Sequence, residues 1–163
     1  MSRTVYIRQA KPTDAVIFAA LNREFNDRDM ASDVIESRLL TDPNSEIVLI
    51  GEIEGTVVGF ACVRVTSSVC YPHPWAELTE LYVRSGYRRR GVGRALVQEA
   101  ERLAQKQGAT EVHLYTGDGN LVGKTFYRAL GYTERSSEVL FQKQLRPKDQ
   151  KKCWDTNENG RHF

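Results

Sequence analysis

Cysteine, long apolar runs and an excess of one charge are scarce in this sequence. Only three of its 163 residues are cysteine. Cys62, Cys70 and Cys153 have no spacing typical of metal ligands, and an odd number of them argues against a disulfide framework. The pattern favours a reduced, cytoplasmic setting. Because the three histidines are scattered too, we predict no metal site.

The sequence also lacks features of membrane and nucleic-acid proteins. Its longest aliphatic run, Ile47 to Ile50, is far shorter than the ~20 residues that span a bilayer. The polar start around Arg3 and Arg8 has no apolar segment of the signal-peptide type. The net charge is only +2, too small to favour bulk nucleic-acid binding. We therefore expect no membrane partner, no nucleic-acid partner and no targeting segment.

Apolar periodicity predicts an α/β fold. Alternation and helical spacing, with helix-start, turn and helix-end signals, give the order β-α-α-β-β-β-α-β-α-β(β). The predicted strands cover 5–8, 46–53, 56–65, 76–83 and 111–116, with one or two more between 132 and 145, and the helices cover 12–25, 32–40, 91–107 and 120–130. Residues 1–145 are predicted to form a single domain. The polar stretch 146–163 is predicted to be a flexible or loosely docked tail.

A basic, glycine-rich turn lies between the fourth strand and the third helix. It has the sequence Arg88-Arg89-Arg90-Gly91-Val92-Gly93-Arg94. Glycine permits backbone conformations that side chains forbid. The free N–H groups of a first helical turn bind anions, and arginine adds forked, charged donors. The turn therefore suits a pyrophosphate.

The glycines also fit other interpretations. A solvated basic turn that simply begins a helix needs no ligand, and a nucleic-acid site would need interleaved aromatics and a wider basic face. The stretch from Gly117 to Thr125 ends like a nucleotide-binding P-loop. However, Asp118 stands where that motif requires glycine, and the dinucleotide-binding glycine interval is missing as well.

Two ordered motifs resemble the Gcn5-related N-acetyltransferase (GNAT) family. The first is Leu81-Tyr82-Val83 followed by the turn at Arg88, Gly91 and Gly93. The second is Asn120 followed by the run from Phe126 to Tyr132. The resemblance covers roughly residues 3–145, and Ser85-Gly86 replaces a proline that relatives often carry. It implies a GNAT-like, mostly antiparallel central sheet of six to seven strands with flanking helices. It also implies transfer of an acetyl group from acetyl-CoA, the only cofactor, to a primary amine by direct attack.

The resemblance also implies residue roles. Leu81 and Val83 would pair through their backbones with the pantetheine arm, and the N–H of Tyr82 or Val83 would polarise the thioester carbonyl. The pyrophosphate would lie on Arg88, Arg89, Arg90, Gly91, Val92, Gly93 and Arg94. Asn120 would hydrogen-bond the cofactor near its pantetheine end. Tyr127 would protonate the departing thiolate, unless it is a core aromatic. Lys124 would reach a phosphate, or is simply an exposed helical lysine.

Two carboxylates are candidates for the general base. Glu77 matches the catalytic glutamate of some histone-acetylating relatives, whereas Glu80 is closer to the pantetheine contacts. Strict alternation places them on opposite faces of the strand, and a β-bulge would change that. We lean towards Glu77, and leave both open beside the alternative that each is only an exposed strand carboxylate.

The acceptor is predicted from a concentration of acidic and aromatic residues. They lie in the first two helices and in the loop 67–75: Glu24, Asp27, Asp29, Asp33, Glu36, Tyr71 and Trp75. Such a wall suits a cationic small molecule, such as an aminoglycoside or a polyamine, although an ordinary solvated helix face would look the same. The alternatives are a protein or peptide amine acceptor, or a non-catalytic acetyl-CoA-binding module. A homodimer is left open.

Overall fold

The computed structural model describes residues 4–41, 46–135, 140–143 and 145. Its strands and helices are β1 Val5–Gln9, α1 Ala15–Asn26, α2 Ser32–Thr41, β2 Ile47–Ile53, β3 Thr56–Thr66, β4 Trp75–Val83, α3 Val92–Lys106, β5 Val112–His113 and α4 Leu121–Arg128. Single 3-10 turns precede α1 and follow β4. None of the helices in these ranges is long and apolar enough to cross a membrane.

The strands form one mixed sheet in the order β1-β2-β3-β4-β5. The first four are antiparallel, and β5 is parallel to β4. The predicted α/β fold is confirmed, with two differences in its last strands. β5 is shorter than the predicted 111–116, because its pairing with β4 ends at Glu77 and His113. Of the strands expected between 132 and 145, residues 132–135, 140–143 and 145 are in none, and residues 136–139 and 144 lie outside the described residues. The described part of the sheet therefore has five of the six to seven strands expected.

The chain divides into two compact units, Met1–Tyr115 and Thr116–Phe163. The first unit contains the sheet with α1, α2 and α3. The second contains α4. The division falls inside the predicted domain 1–145, whose extent stays a prediction, and the predicted tail 146–163 lies outside the described residues.

The sheet is covered on both faces within the first unit. On one face, Phe18 and Leu21 of α1 pack on Phe60 of β3 and its neighbours. The other face packs against α3, whose Val92 and Leu96 are fully buried. Apolar side chains on both faces of β3 explain why that strand reads as a nearly continuous hydrophobic run.

Two paired glycines allow the layers to approach closely. Gly51 of β2 pairs with Gly59 of β3. A Cβ at Gly51 would lie 2.9 Å from Cγ1 of Val92, and one at Gly59 would lie 2.5 Å from the carbonyl oxygen of Tyr82. Glycine at these positions therefore lets the start of α3 pack against the sheet and lets β3 pass close to the end of β4.

An ion-pair cluster fixes the start of α1 to the sheet. The guanidinium of Arg8 on β1 binds both carboxylate oxygens of Asp14, at 2.7 and 2.8 Å, and Oε1 of Glu52 at 2.8 Å. Asp14 is only 8% exposed and also accepts a hydrogen bond from the Lys11 amide. The hydrogen bonds from Arg8 are the main reason that the pKa of Asp14 is lowered.

We expect Asp14→Asn to lower the free energy of unfolding by about 2–3 kcal/mol at neutral pH, because it leaves the Arg8 charge partly buried and short of a partner. A lowered folded-state pKa stabilises the fold above the unfolded value of about 3.9 and loses that effect as pH falls through the folded pKa. The difference between wild type and variant should therefore shrink in acid. Urea unfolding across pH measures it. Asp29→Asn, in an exposed pair with Arg23, should change little, and an equal loss in both variants would contradict the prediction.

Candidate functional site

A β-bulge in β4 decides which way its carboxylates face. Cys62 of β3 pairs with Glu80, but the next residue, Val63, pairs with Leu78, so Thr79 is the extra residue on β4. Because a bulge shifts the alternation by one position, Glu77 and Glu80 lie on the same face of the sheet, the face on which α1 packs. The bulge considered from the sequence is present.

Glu80 is a partly buried glutamate of β4. Burial, and secondarily the negative charge of Glu46, raises its pKa, while the charges of Arg28 and Arg64 act in the opposite direction. A carboxylate with a raised pKa is a better proton acceptor than one at the surface. Glu77 pairs across the strands with Arg64, further along β4 from residues 81–83, which are predicted to contact the pantetheine arm. The geometry therefore favours Glu80 over Glu77, in contrast to the preference from sequence.

The end of β4 presents backbone groups on an edge that no described strand pairs with beyond Glu77. The Arg84 amide donates to the carbonyl oxygen of Val58 at 2.9 Å. Since hydrogen-bonded pairs alternate along an antiparallel ladder, Tyr82 bonds to β3, and the N–H and C=O groups of Leu81 and Val83 point away from it. We call the backbone of Leu81 and Val83 the unpaired edge.

The unpaired edge corrects one sequence-based suggestion. The amide of Tyr82 points towards β3, so it is not placed to polarise a carbonyl at this edge; the amide of Val83 is. The Tyr82 ring instead lies between Phe25 and Phe60, and its hydroxyl donates to Oε2 of Glu24 at 3.1 Å. Its role is to pack β4 against α1.

The basic turn, residues 88–94, follows β4 and its short 3-10 turn. Arg89 and Gly91 have φ values of +62° and +86°, and Gly91 precedes the first residue of α3. Along that turn, Gly91 provides no side-chain cap, and the first helical bond is from the Ala95 amide to the Gly91 carbonyl. The amides of Val92, Gly93 and Arg94 therefore have no helical acceptor. An uncapped N-terminus of this kind favours an anion.

Arginine side chains surround these amides. Arg88, Arg89, Arg90 and Arg94 are all exposed. Nε of Arg88 donates to the Val83 carbonyl oxygen at 2.9 Å, and the guanidinium of Arg90 lies 5.3 Å from the centre of the Tyr87 ring. The side chain of Val92 is buried, so Val92 can offer a ligand only its backbone. The positive charge of the arginines and the backbone N–H groups without a helical acceptor are therefore concentrated at the same turn.

We expect Gly91→Ala to weaken acetyl-CoA binding and to cost about 1 kcal/mol of stability, because a side chain at this φ is strained. An added Cβ would meet no atom within 4 Å, so the effect is conformational. Relief of the strain would turn the first amides of α3 away from an anion, and we expect Kd to rise about tenfold. Calorimetric titration measures it. Gly86→Ala is the control, because its Cβ is equally unobstructed and its φ is not positive; equal effects would contradict the prediction.

Asn120 has a structural role within the second unit. It is the N-cap of α4: its Oδ1 accepts a hydrogen bond from the Gly123 amide at 2.9 Å, and its Nδ2 donates to Oγ1 of Thr116 at 2.9 Å. A side-chain amide has two N–H groups and two lone pairs, so one of each is left. The cofactor contact of Asn120 stays a prediction.

Lys124 is already paired. Its ammonium forms ion pairs with Asp118 and, at 3.0 Å, with Glu134, and its side chain is only 15% exposed. With two carboxylates beside it, the ammonium has no net positive field to offer a phosphate. The structure therefore argues against both sequence-based readings of Lys124, the phosphate ligand and the simply exposed lysine.

Tyr127 is a partly buried tyrosine of α4. Its ring contacts those of Phe126 and Tyr132, with centroid distances of 5.2 and 5.7 Å. Burial raises its pKa to about 12, so the hydroxyl keeps its proton at neutral pH. That state is the one a proton donor needs, and its role as the acid stays a prediction.

The predicted acidic wall is only partly available. Glu24 is held by the guanidinium of Arg84, with Nη2 to Oε1 at 2.7 Å, and by the Tyr82 hydroxyl. Asp29 pairs with Arg23 at 3.3 Å. Asp27, Asp33 and Glu36 are exposed, and the Tyr71 and Trp75 rings lie edge to face at 5.9 Å. Glu24 therefore joins α1 to β4 and does not belong to the wall.

The sequence did not indicate the contact between two polar residues near Glu80, which are Thr79 and Glu46. Oγ1 of Thr79 lies 2.8 Å from Oε1 of Glu46, and that oxygen lies 3.5 Å from Nε of Arg64. Glu46 precedes β2 and is distant in sequence from β4. Only the cross-strand register brings them together, so no local pattern could have indicated it.

The chain was compared with known proteins. Residues 15–132 match the family model of the Acetyltransferase (GNAT) family. A spermidine N(1)-acetyltransferase of Thermoplasma acidophilum is 26% identical over 69% of this chain. The match covers 64% of the length of that relative, which is less than two thirds. An aminoglycoside N(6')-acetyltransferase type 1 of Stenotrophomonas maltophilia is 29% identical over 86% of this chain and 94% of its own length.

A solved structure confirms the fold. An aminoglycoside N-acetyltransferase in complex with CoA superposes with a TM-score of 0.75 at 21% identity, covering 88% of this chain and 97% of its own. The family match covers most of the sequence, including β4, the basic turn and α4. The chain therefore belongs to the GNAT acetyltransferase family.

Proposed function

We propose that this chain transfers the acetyl group of acetyl-CoA to a primary amine of a cationic small molecule. The observation that carries the proposal is the continuity of two features: the unpaired edge of β4 runs directly into the uncapped, arginine-rich N-terminus of α3. In acetyl-CoA, an extended arm that carries amides is followed by a pyrophosphate. Its hydrogen-bonding groups and its charge therefore come in the same order as these two features of the chain. Acetyl-CoA would supply an activated thioester.

The residues of this chain fit such a ligand. The Leu81 backbone and the Val83 amide offer hydrogen bonds to an extended arm, as an added strand would. The amides of Val92, Gly93 and Arg94 offer donors to a pyrophosphate, with Arg89 and the neighbouring arginines adding charge.

Two groups of the first unit carry the removal of the proton and the activation of the carbonyl. Glu80 accepts the proton of the incoming ammonium, directly or through a water. The Val83 amide donates to the carbonyl oxygen as negative charge develops there. For Tyr127, in the second unit, the resemblance of its motif supports the role of proton donor to the leaving thiolate.

The acceptor class rests on charge. Asp27, Asp33 and Glu36 leave an exposed acidic surface on and beside α1 and α2, which attracts polycations. Relatives of this chain are named for spermidine and for aminoglycosides. We therefore propose an aminoglycoside-like or polyamine-like amine rather than a protein amine.

A thiol-release assay with acetyl-CoA tests this function against polyamines, aminoglycosides, amino acids and basic peptides. We expect release with a polycationic small amine. Release only with peptides would overturn the acceptor class. Binding of acetyl-CoA in a calorimeter without release for any amine would overturn the enzymatic function in favour of a binding module.

A further inference from the structure

The bulge residue Thr79, next to Glu80 in β4, binds the carboxylate of Glu46, which precedes β2. Oγ1 of Thr79 lies 2.8 Å from Oε1 of Glu46 and 3.2 Å from the carbonyl oxygen of Cys62, the residue that pairs with Glu80. A regular strand would have no residue at this point, since Thr79 is the extra one. The bulge thus supplies the hydroxyl that fixes Glu46.

The β2–β3 pairing places Glu46 on the same face as Glu80. Val48 pairs with Cys62, so the preceding alternate residue, Glu46, lies opposite Arg64 on that face, in agreement with the 3.5 Å ion pair between them. Glu46, Glu80 and the guanidinium of Arg64 therefore share this face with Glu77.

We propose that Glu46, held by Thr79, is a positioning residue that sets the protonation of the base Glu80 by keeping a second negative charge beside it. The proposal rests on the proposed function, in which Glu80 is the base. An isolated glutamate is fully ionised well below neutral pH and is a weak base. A neighbouring carboxylate disfavours that ionisation, so the base is stronger and activity requires a higher pH.

The other titratable groups around Glu80 come from β3, from β4 and from the segment between α1 and α2. On β4, Glu77 lies on the same face as Glu80. Arg64 on β3 and Arg28, between α1 and α2, both favour the ionised form of Glu80, and they oppose Glu46. The Cys62 thiol on β3 is fully buried, and burial raises its pKa well above the usual range, so it stays neutral. The balance predicts opposite effects for removing Glu46 and removing Arg64.

The test is the pH profile of kcat/KM for four variants. Glu46→Gln should move the acidic limb to lower pH, because Glu80 then ionises more readily, and Arg64→Gln should move it to higher pH. Thr79→Val should shift it in the direction of Glu46→Gln, whereas Thr79→Ser should restore the wild-type profile. Glu54→Gln is the control: it removes the same charge at the opposite end of β2, roughly 25 Å along the strand, and should leave the profile unchanged.

Carbon-13 NMR of the glutamate carboxyls provides a readout that does not need turnover, with the Glu80 signal identified by its loss in Glu80→Gln. We expect its titration to move to lower pH in Glu46→Gln and to higher pH in Arg64→Gln. An unmoved titration in both variants would overturn the inference, even in an active enzyme. Absence of thiol release by the wild type, with the Glu80 signal moving as expected, would overturn the proposed function and leave the charge coupling established.

Discussion

Replacing Glu80 by glutamine is expected to lower kcat/KM for the acetylated amine at least about 100-fold, the usual contribution of a positioned general base. Glutamine keeps the size of the side chain and its place beside Cys62, but it cannot accept the ammonium proton. The proposed acetyl-CoA contacts come from the backbone of Leu81 and Val83 and from the basic turn, and none of them involves the Glu80 side chain. Acetyl-CoA affinity should therefore stay within about twofold. Thiol release and calorimetric titration measure the two quantities separately.

Glu77→Gln is the matched control, since Glu77 lies on the same face of the same strand. We expect it to lower kcat/KM much less, because it pairs with Arg64 and lies beyond the bulge from Leu81 and Val83. A larger loss in Glu77→Gln than in Glu80→Gln would assign the base to Glu77, as first expected from the sequence.

Tyr127→Phe is expected to lower kcat about 100-fold or more, within the range for a general acid. The change removes one hydroxyl and keeps the ring that contacts Phe126 and Tyr132, so folding and acetyl-CoA binding should be preserved. Burial raises the pKa of Tyr127 to about 12. The hydroxyl therefore stays protonated through the neutral range, and the acid should cause no loss of rate below about pH 10.

Tyr115→Phe provides the comparison for this variant. Tyr115 is exposed, and its substitution makes the same chemical change at a residue outside α4. Activity should be unaltered. If Tyr127→Phe kept the wild-type kcat, the ring would be a packing residue alone and the thiolate would take its proton from water.

The anion-binding turn was predictable from the sequence because its determinants are local. Gly91 is needed at φ +86°, and the helix that begins at Val92 is signalled by its own apolar spacing. The N-terminal helices and the β2–β3 hairpin follow for the same reason, since propensity and turn chemistry act over a few residues.

The identity of the base was not predictable in this way. Regular alternation along β4 would place Glu77 and Glu80 on opposite faces of the sheet. Only the extra residue Thr79 places both on the same face. That insertion depends on how β3 and β4 pair. The partners of Lys124 escaped prediction for a related reason: Glu134 follows the end of α4, where the path of the chain is not set by helical periodicity.

The hydrogen bond from Arg88 to the Val83 carbonyl has a consequence for solubility. An exposed strand edge is a template for pairing with strands of other chains, and proteins block such edges with charged side chains. Here Arg88 occupies the last carbonyl of β4, and its positive charge stands at the point where a foreign strand would continue its ladder. We therefore expect Arg88 to hinder edge-to-edge pairing at this point, while the Leu81 backbone and the Val83 amide are left for a ligand that needs only a few hydrogen bonds.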